Sequence, residues 1–273
     1  MPVRIPLLAA VLSLATLLGA APAGVAGVVV SHRPIVSVGA NQSNNWSGYN
    51  QGTIEKGGTL FHQVSGDWVV PTATQHKSGE AEYSSTWIGI GGGCVDATCL
   101  ITDSTLIQAG TEQDVDASGK ASYSAWWELI PAPGVTIDTL PVKAGDRVHF
   151  DIREAVPNSE VWTFTAQNLT TGTSWTQTLP YSSTYGTAEW IEETPVVVDN
   201  SGNVSVGPLP KLSRVRFNNG QTNTANPGLK PAEEVQLVDF NNKVLLTPSA
   251  PDPDKNGFND CSYATSCAAP TSN

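Results

Sequence analysis

The sequence has few charged residues, and few of those are basic. Charged residues make up 14% of the 273 positions, with 14 Lys and Arg against 25 Asp and Glu and a formal net charge of -11. Soluble domains usually carry about 25% charged residues. Binding to nucleic acid and docking on anionic membranes both depend on Lys and Arg. We therefore expect no nucleic-acid partner and no anionic membrane partner.

The one long apolar run lies at the beginning of the chain, and no later run could span a bilayer. Arg4 precedes the apolar stretch Leu7–Leu18, and the small residues Ala21-Pro22-Ala23 follow it. This order is typical of a secretory signal and its cleavage site. The stretch is shorter than the roughly 20 residues that a spanning helix needs. We predict a signal peptide at 1–23 and a secreted, extracellular protein with no membrane association after signal cleavage.

After the predicted signal peptide, the sequence divides into an N-terminal stretch, one domain and a short C-terminal tail. Residues 24–43 are small and polar and have no periodicity, and we interpret them as a short pro-segment or a flexible N-terminus. The patterning that follows is continuous, so we expect one domain at 44–265 and a C-terminal tail at 266–273. Nothing in the sequence calls for oligomerisation, and a monomer is the expected state.

Only four cysteines are present, in two close pairs, Cys94 with Cys99 and Cys261 with Cys267. An even number of cysteines in a secreted protein favours disulfides, and we predict two local bridges that each close a small loop. A zinc site is the alternative, but no histidine lies near either pair. Four cysteines allow three pairings, so the pairing is inferred.

Helical apolar stripes are missing after the first residues, whereas short runs of aromatic and β-branched residues recur throughout. Turns such as Ala144-Gly145-Asp146 and Asn219-Gly220 separate these runs. Many short strands with regular turns predict an all-β fold, an antiparallel sandwich or barrel. The predicted strands are Phe61–Val70, Ser84–Ile90, Thr105–Gly110, Tyr123–Ile130, Arg147–Ala155, Val161–Asn168, Ser174–Leu179, Ala188–Ile191, Lys211–Phe217, Glu234–Asp239, Val244–Thr247 and Phe258–Tyr263.

Several catalytic motifs are absent: G-x-S-x-G, H-E-x-x-H, G-x-x-x-x-G-K-[ST], and the Asp-Thr-Gly or Asp-Ser-Gly turn of pepsin-like enzymes. The cysteines are expected to be oxidised, which removes a thiol nucleophile. Carboxylates, amides and water remain for catalysis, and we expect no metal and no organic cofactor. The histidines are scattered and none is near a nucleophile motif: His32, His62, His76 and His149.

One segment, Asp252-x-Asp254-x-Asn256-Gly257, imitates the beginning of a calcium-binding loop. Its twelfth position is Tyr263, where an EF-hand needs Glu, and no helical pattern flanks it. We interpret it as an acidic turn before the last strand, with calcium as the alternative.

Three predicted strands carry a polar residue among apolar or aromatic neighbours: Gln108 within Leu106–Gly110, Glu128 after Trp127, and Glu189 before Trp190. Taken singly, each would be explained by the solvated face of an antiparallel sheet.

The surroundings of these residues form a series that resembles the glutamic peptidase (eqolisin) family, particularly its bacterial secreted members. The resemblance extends from Asn44 to Tyr263. It rests on six segments that occur in order: Asn45-Trp46-Ser47-Gly48-Tyr49, Gly66-Asp67-Trp68-Val69-Val70-Pro71, Trp87-Ile88-Gly89-Ile90, Leu106-Ile107-Gln108-Ala109-Gly110-Thr111-Glu112, Ala125-Trp126-Trp127-Glu128 and Ala188-Glu189-Trp190-Ile191.

The resemblance implies an acid-acting endopeptidase on a lectin-like (concanavalin-like) double-sheet β-sandwich, with polypeptides as substrates. It implies that Glu189 is the general base and acid that activates water, and that Gln108 orients the water and stabilises the oxyanion. It also implies that Trp87 and Trp126 line the substrate cleft and that Glu128 supports it. Core packing is the alternative role of both tryptophans.

The chain departs from the fungal members at three positions. Gly91 and Ser124 stand where those members carry Asp, and Glu112 replaces a third Asp. These changes leave the pH optimum open, although they do not touch Gln108 or Glu189.

Two other functions fit a secreted sandwich. A carbohydrate-binding or glycan-hydrolysing protein could use exposed tryptophans and the carboxylates of Glu128 and Glu189. A non-catalytic adhesion protein would hydrolyse nothing. Gln108 distinguishes the first from a peptidase, because a pair of carboxylates gives Gln108 no required role.

Overall fold

The computed structural model describes residues 29–198 and 204–271, and its regular structure is almost entirely β. The predicted signal peptide at 1–23 lies outside the described residues. One 3-10 helix, Pro231–Glu233, interrupts the strands. The strands are β1 Val29–Ser31, β2 Ser37–Gly39, β3 Gln42–Ser43, β4 Trp46–Gly52, β5 Gln63–Val69, β6 Ala73–Thr74, β7 Ser85–Gly91, β8 Leu106–Val115, β9 Ala121–Leu129, β10 Val135–Thr136, β11 Arg147–Glu154, β12 Val161–Asn168, β13 Thr173–Pro180, β14 Thr187–Glu193, β15 Val196–Val198, β16 Val204–Val206, β17 Lys211–Leu212, β18 Val215–Thr222, β19 Glu234–Val238, β20 Val244–Pro248 and β21 Phe258–Ser262.

Sixteen strands form one hydrogen-bonded sheet in the order β10-β9-β8-β7-β14-β4-β19-β20-β21-β18-β5-β11-β12-β13, with β3 joined to β19 and β2 to β3. This sheet folds back on itself, so that β5 and β11 lie against β7, and β18 lies against β14. Among the described strand pairs only β3 with β19 is parallel. The predicted all-β, antiparallel double-sheet sandwich is therefore confirmed.

The main core lies between the two layers and is dominated by aromatic side chains. Trp68 on β5 stacks on Phe150 of β11 with ring centroids 4.7 Å apart, and its indole N–H donates to Thr111 Oγ1 on β8 at 3.0 Å. Trp190 on β14 donates to the Ser65 carbonyl on β5 at 2.8 Å. Buried aromatics carry much of the hydrophobic stabilisation of a domain. These contacts fix which face of β8 and β14 points inward.

Most predicted strands appear within one or two residues of their expected bounds, and Val161–Asn168 appears unchanged. Two differ more. The strand expected at Thr105–Gly110 continues to Val115. The strand expected at Lys211–Phe217 is divided between β17 and β18, which pair with different neighbours.

The predicted disulfides are present as Cys94–Cys99 and Cys261–Cys267, with Cα atoms 4.8 and 5.6 Å apart.

The calcium-like segment, residues 252–257, forms a turn in which the backbone N–H of Asn256 donates to Asp252 Oδ1 at 3.1 Å. In the part of the chain that the structure describes, no helix has the length and apolarity to cross a membrane.

Candidate active site

Strand register brings the three singled-out polar residues into one row. Glu128 on β9 pairs with Gln108 on β8, which pairs with Gly89 on β7, and Gly89 pairs with Glu189 on β14. Asn50 on β4 pairs with Glu189 and extends the row. Residues that pair directly across a sheet point to the same face. Gln108, Glu128 and Glu189 therefore share a face, although 81 positions separate Gln108 from Glu189.

This face is the one opposite the main core, and we call it the outer face. Ile88, Ile107 and Trp190, the sequence neighbours of the row, all belong to the main core. Because side chains alternate along a strand, Gly89, Gln108 and Glu189 must point the other way. Trp87 and Trp126 occupy the next row of the outer face.

Gly89 provides the space between the two proposed catalytic side chains. Two strand spacings, about 10 Å, separate the backbones of Gln108 and Glu189. A Cβ at position 89 would lie 2.8 Å from the Trp87 ring and 3.2 Å from Leu106 Cδ1. Glycine is therefore needed at this position, between the strands that carry Gln108 and Glu189.

Glu189 is wholly buried, and neither carboxyl oxygen has a hydrogen bond of good geometry in the described residues. Burial raises the pKa of Glu189 well above its usual value, the nearby Thr187 hydroxyl opposes this, and the charge of Asp103 adds to it. Gly93 lies over the carboxyl group, since a Cβ there would be 2.7 Å from Glu189 Oε1. Burial without a hydrogen-bond partner among the described residues therefore favours the protonated form of Glu189.

Gln108 and Glu128 form a buried pair. Gln108 Nε2 donates to Glu128 Oε2 at 2.8 Å, while Gln108 Oε1 and Glu128 Oε1 have no partner among the described residues. Burial raises the pKa of Glu128 to about 7, in part opposed by His32 and by the Gln108 hydrogen bond. Since an amide NH2 carries two hydrogens, one remains for another acceptor.

Both predicted cleft tryptophans belong to a second apolar cluster on the outer face, separate from the main core. Trp87 packs edge-on against Trp46, with ring centroids 4.9 Å apart, and donates to Glu193 Oε2 at 2.9 Å. Trp126 donates to Ser85 Oγ at 3.0 Å. The members of the cluster are Ile35, Trp46, Trp87, Cys94, Leu106, Trp126, Ile191 and Val235.

Residues 29–36, which we call the N-terminal segment, cover this face. The Ile35 amide donates to the Gly92 carbonyl at 2.9 Å, and the Arg33 carbonyl accepts from Trp46 Nε1 at 3.1 Å. His32 stacks on Trp126. Under this segment and the loop at Gly92 and Gly93, Gln108, Glu128 and Glu189 have no exposed surface.

Sequence reasoning missed several residues of this site. Glu193 follows Glu189 and Ile191 at a spacing of two, so strand alternation was a signal that could have placed it on the outer face. His32 and Asp103 carried no local signal, because they reach the site from segments without periodicity. Two further histidines lie elsewhere: His62 contacts Glu154, and His149 contacts Asp67.

Three solved structures of glutamic peptidases have a similar fold. Scytalido-glutamic peptidase with a transition-state analogue inhibitor matches with TM-score 0.61 and 20% identity, covering 80% of this chain and 98% of that chain. Aspergilloglutamic peptidase from Aspergillus niger matches with TM-score 0.53 and 22% identity, covering 66% and 99%. SCP-B, a member of the eqolisin family in complex with the tripeptide Ala-Ile-His, matches with TM-score 0.53 and 20% identity, covering 80% and 98%.

The model of the Peptidase A4 family matches residues 44–257, and the chain belongs to this family. The protein is a glutamic peptidase of the eqolisin type, a hydrolase that acts on peptide bonds, as the motif series predicted. No match was found among curated protein sequences. The glycan-hydrolysing alternative gains no support, because β8 and β7 separate the strands of Glu128 and Glu189.

Proposed function

We propose that this glutamic peptidase is a secreted endopeptidase that works in acid and cleaves peptide bonds with Gln108 and Glu189. The observation that carries the proposal is the row on the outer face, where an unpartnered carboxyl and an amide N–H lie on either side of Gly89. The two disulfides favour an oxidising compartment. We also propose that the protein is a monomer without membrane association.

The chemistry begins at Glu189. As a carboxylate it takes a proton from water, and the water oxygen forms a bond to the scissile carbonyl carbon. The carbonyl electron pair moves to its oxygen, and the Gln108 Nε2–H donates to that oxyanion. Glu189 then returns the proton to the amide nitrogen as the C–N bond breaks. The reaction needs no metal and no organic cofactor.

Glu128 positions the amide. By accepting from Gln108 Nε2 at 2.8 Å, it fixes which end of the amide is the donor and leaves the second N–H for the oxyanion. We propose that Trp87 and Trp126 offer apolar surface to the substrate beside this centre.

The pKa of Glu189 is raised because the outer face is covered. When the covering over Glu189 opens and water enters, desolvation weakens and the pKa falls towards that of a free carboxyl group. The carboxylate base is then available in acid, at about pH 3–5. Substrate therefore requires the outer face to open.

The test is a pH scan of the purified full chain with an unfolded protein as substrate, from pH 2 to pH 7. We expect cleavage with a maximum in acid that is insensitive to chelators, pepstatin and serine reagents. Gln108→Ala should lower kcat about 10²–10³-fold, as expected for the loss of one oxyanion donor. Gln177→Ala, at an exposed position of β13, is the matched control and should not change the rate. Absence of cleavage at every pH, or full activity of Gln108→Ala, would contradict the proposal.

A further inference from the structure

His32 occupies a closed pocket on the outer face. The pocket lies at the row of Trp87 and Trp126 and at the row after it, which contains Glu112 and Glu193. Its imidazole stacks on the Trp126 indole with ring centroids 3.8 Å apart and planes within 7°. Its Nδ1 lies 3.0 Å from Glu193 Oε2, and its Nε2 lies 3.3 Å from Glu112 Oε1. The ring is 3% exposed. One face of the imidazole therefore contacts the Trp126 indole, and each ring nitrogen lies close to a carboxyl group.

The pocket is built by strands of the site and not by the segment that fills it. Trp126 comes from β9, Glu112 from β8 and Glu193 from β14. Side chains other than His32 hold the two carboxylates in place: Ser124 Oγ donates to Glu112 Oε2 at 3.3 Å, and Trp87 Nε1 donates to Glu193 Oε2 at 2.9 Å.

Two carboxylates on opposite sides of one ring select a cation. Both ring nitrogens of a histidine can donate only when the imidazole is protonated. Burial alone would lower the pKa of His32, but Glu193 and Glu112 raise it well above its usual value. The flat indole face adds a cation–π contact. These features fit an imidazolium, and in weaker form the guanidinium of an arginine.

The N-terminal segment, which carries His32, binds to the domain in the way that an extended peptide ligand would. β1 pairs with β15 through backbone hydrogen bonds, the Arg33 carbonyl accepts from Trp46 Nε1 at 3.1 Å, and the Ile35 amide donates to the Gly92 carbonyl at 2.9 Å. Ile35 enters the apolar cluster beside Trp87. Backbone hydrogen bonds combined with side-chain pockets are the usual means of recognising an extended peptide.

We propose that the pocket formed by Trp126, Glu112 and Glu193 is a substrate subsite for a cationic side chain, preferably histidine, and that His32 of the chain itself fills it in the described state. This proposal rests on the proposed function, since it gives the peptidase a preferred substrate class. It predicts faster cleavage of peptides that present histidine at the position read by this pocket.

The first test measures binding without catalysis. In His32→Ala, prepared as the full chain, the pocket is open and imidazole should bind saturably at pH 5, with a change in tryptophan fluorescence. Pyrazole, a neutral ring of the same shape, should bind at least 10-fold more weakly, and so should imidazole to His32→Ala/Glu193→Gln. Wild-type protein, in which His32 fills the pocket, should show no saturable change. Equal binding of imidazole and pyrazole would overturn the proposal.

The second test uses peptides of one sequence in which each position in turn is His, Gln or Leu. At one position, His should raise kcat/KM at least 10-fold over Gln, and Glu193→Gln should bring that ratio close to one. Cleavage of all peptides without a His preference would overturn the subsite and leave the proposed function intact. Cleavage of none of them at any pH would instead overturn the proposed function. This test does not depend on the folding of His32→Ala.

Discussion

Two buried glutamates, Glu154 on β11 and Glu189 on β14, lie in opposite electrostatic environments. The Glu154 carboxylate contacts His62 Nδ1 at 2.7 Å and accepts from the Tyr185 hydroxyl at 2.9 Å and from the amides of Asn158 and Glu160. Burial alone would raise its pKa, but these partners hold the pKa below the usual value. Among the described residues Glu189 has no comparable set of donors, only the nearby Thr187 hydroxyl, and burial raises its pKa. The environment of Glu154 favours the ionised carboxylate, whereas that of Glu189 favours the protonated acid.

The two strands also differ in what covers their second face. β11 alternates between buried Val148, Phe150 and Ile152 and more exposed residues, as expected for a strand with one face towards water. All ten residues of β8 and all seven of β14 are buried. Both strands obey the same alternation, but the second face of β8 and β14 meets the N-terminal segment and the loop at Gly92 instead of solvent.

The largest effects are expected when the carboxylates of Glu189 and Glu154 are removed in turn, which tests the difference between their environments. Glu189→Gln should lower kcat about 10²–10⁴-fold because the general base is lost. Its unfolding midpoint should stay the same or rise, since an amide has no ionised form to desolvate. Glu154→Gln should do the reverse. It should keep the activity of the folded fraction but lose about 3 kcal/mol of stability, because four donors lose a charged acceptor.

Activity assays and denaturant unfolding of both variants test this crossed pattern. If Glu189→Gln were as active as the wild type, or if Glu154→Gln were the inactive one, the two glutamates would have been assigned the wrong roles.

Stability should fall as pH rises, because of acids that stay protonated in the folded state. Burial raises the pKa of Asp260 from 3.8 to about 7. Between these values the unfolded chain releases the proton and the folded chain retains it, so the unfolded state gains stability. The loss is at most about 1.4 kcal/mol per pH unit, and about 4 kcal/mol over the whole interval. Glu128, whose pKa burial raises to about 7, acts in the same direction.

Unfolding midpoints measured from pH 4 to pH 8 test this expectation. Asp260→Asn should flatten the decline, whereas Gln177→Ala, at an exposed position of β13 without a titratable group, should leave it unchanged. A midpoint that rises between pH 4 and pH 7 would contradict the assignment.

A smaller effect is expected from closing the space above Glu189. In Gly93→Ala the new Cβ would lie 1.7 Å from Asn50 Oδ1 and 2.7 Å from Glu189 Oε1. The two side chains must shift, at about 1–3 kcal/mol of stability, and activity should fall because Glu189 moves. Gly39→Ala is the matched control, since no atom lies within 4 Å of its added Cβ. Equal thermal midpoints and rates for the two variants would show that Gly93 does not confine the carboxyl group.

Most strands could be predicted from short runs of aromatic and β-branched residues alone, and the exceptions have physical causes. β8 continues beyond Gly110 because Thr111 and Gln113 are buried in hydrogen bonds with Trp68 and Thr86, although their polarity suggests a loop. The strand expected at Lys211–Phe217 is divided because Leu212 pairs with β6 whereas Val215 pairs with β21. Polarity predicts exposure only when the second face of a strand meets water.

The sequence by itself determined the class of fold and the disulfide pairs, and it singled out Gln108, Glu128 and Glu189. It could do so because strand alternation and cysteine spacing are local properties. Only the tertiary structure decided that Gln108 and Glu189 lie on either side of Gly89 and that His32 covers Trp126. Those relations depend on strand order and on a segment without periodicity, and burial, which sets the pKa of Glu189, arises only when all of these parts are assembled.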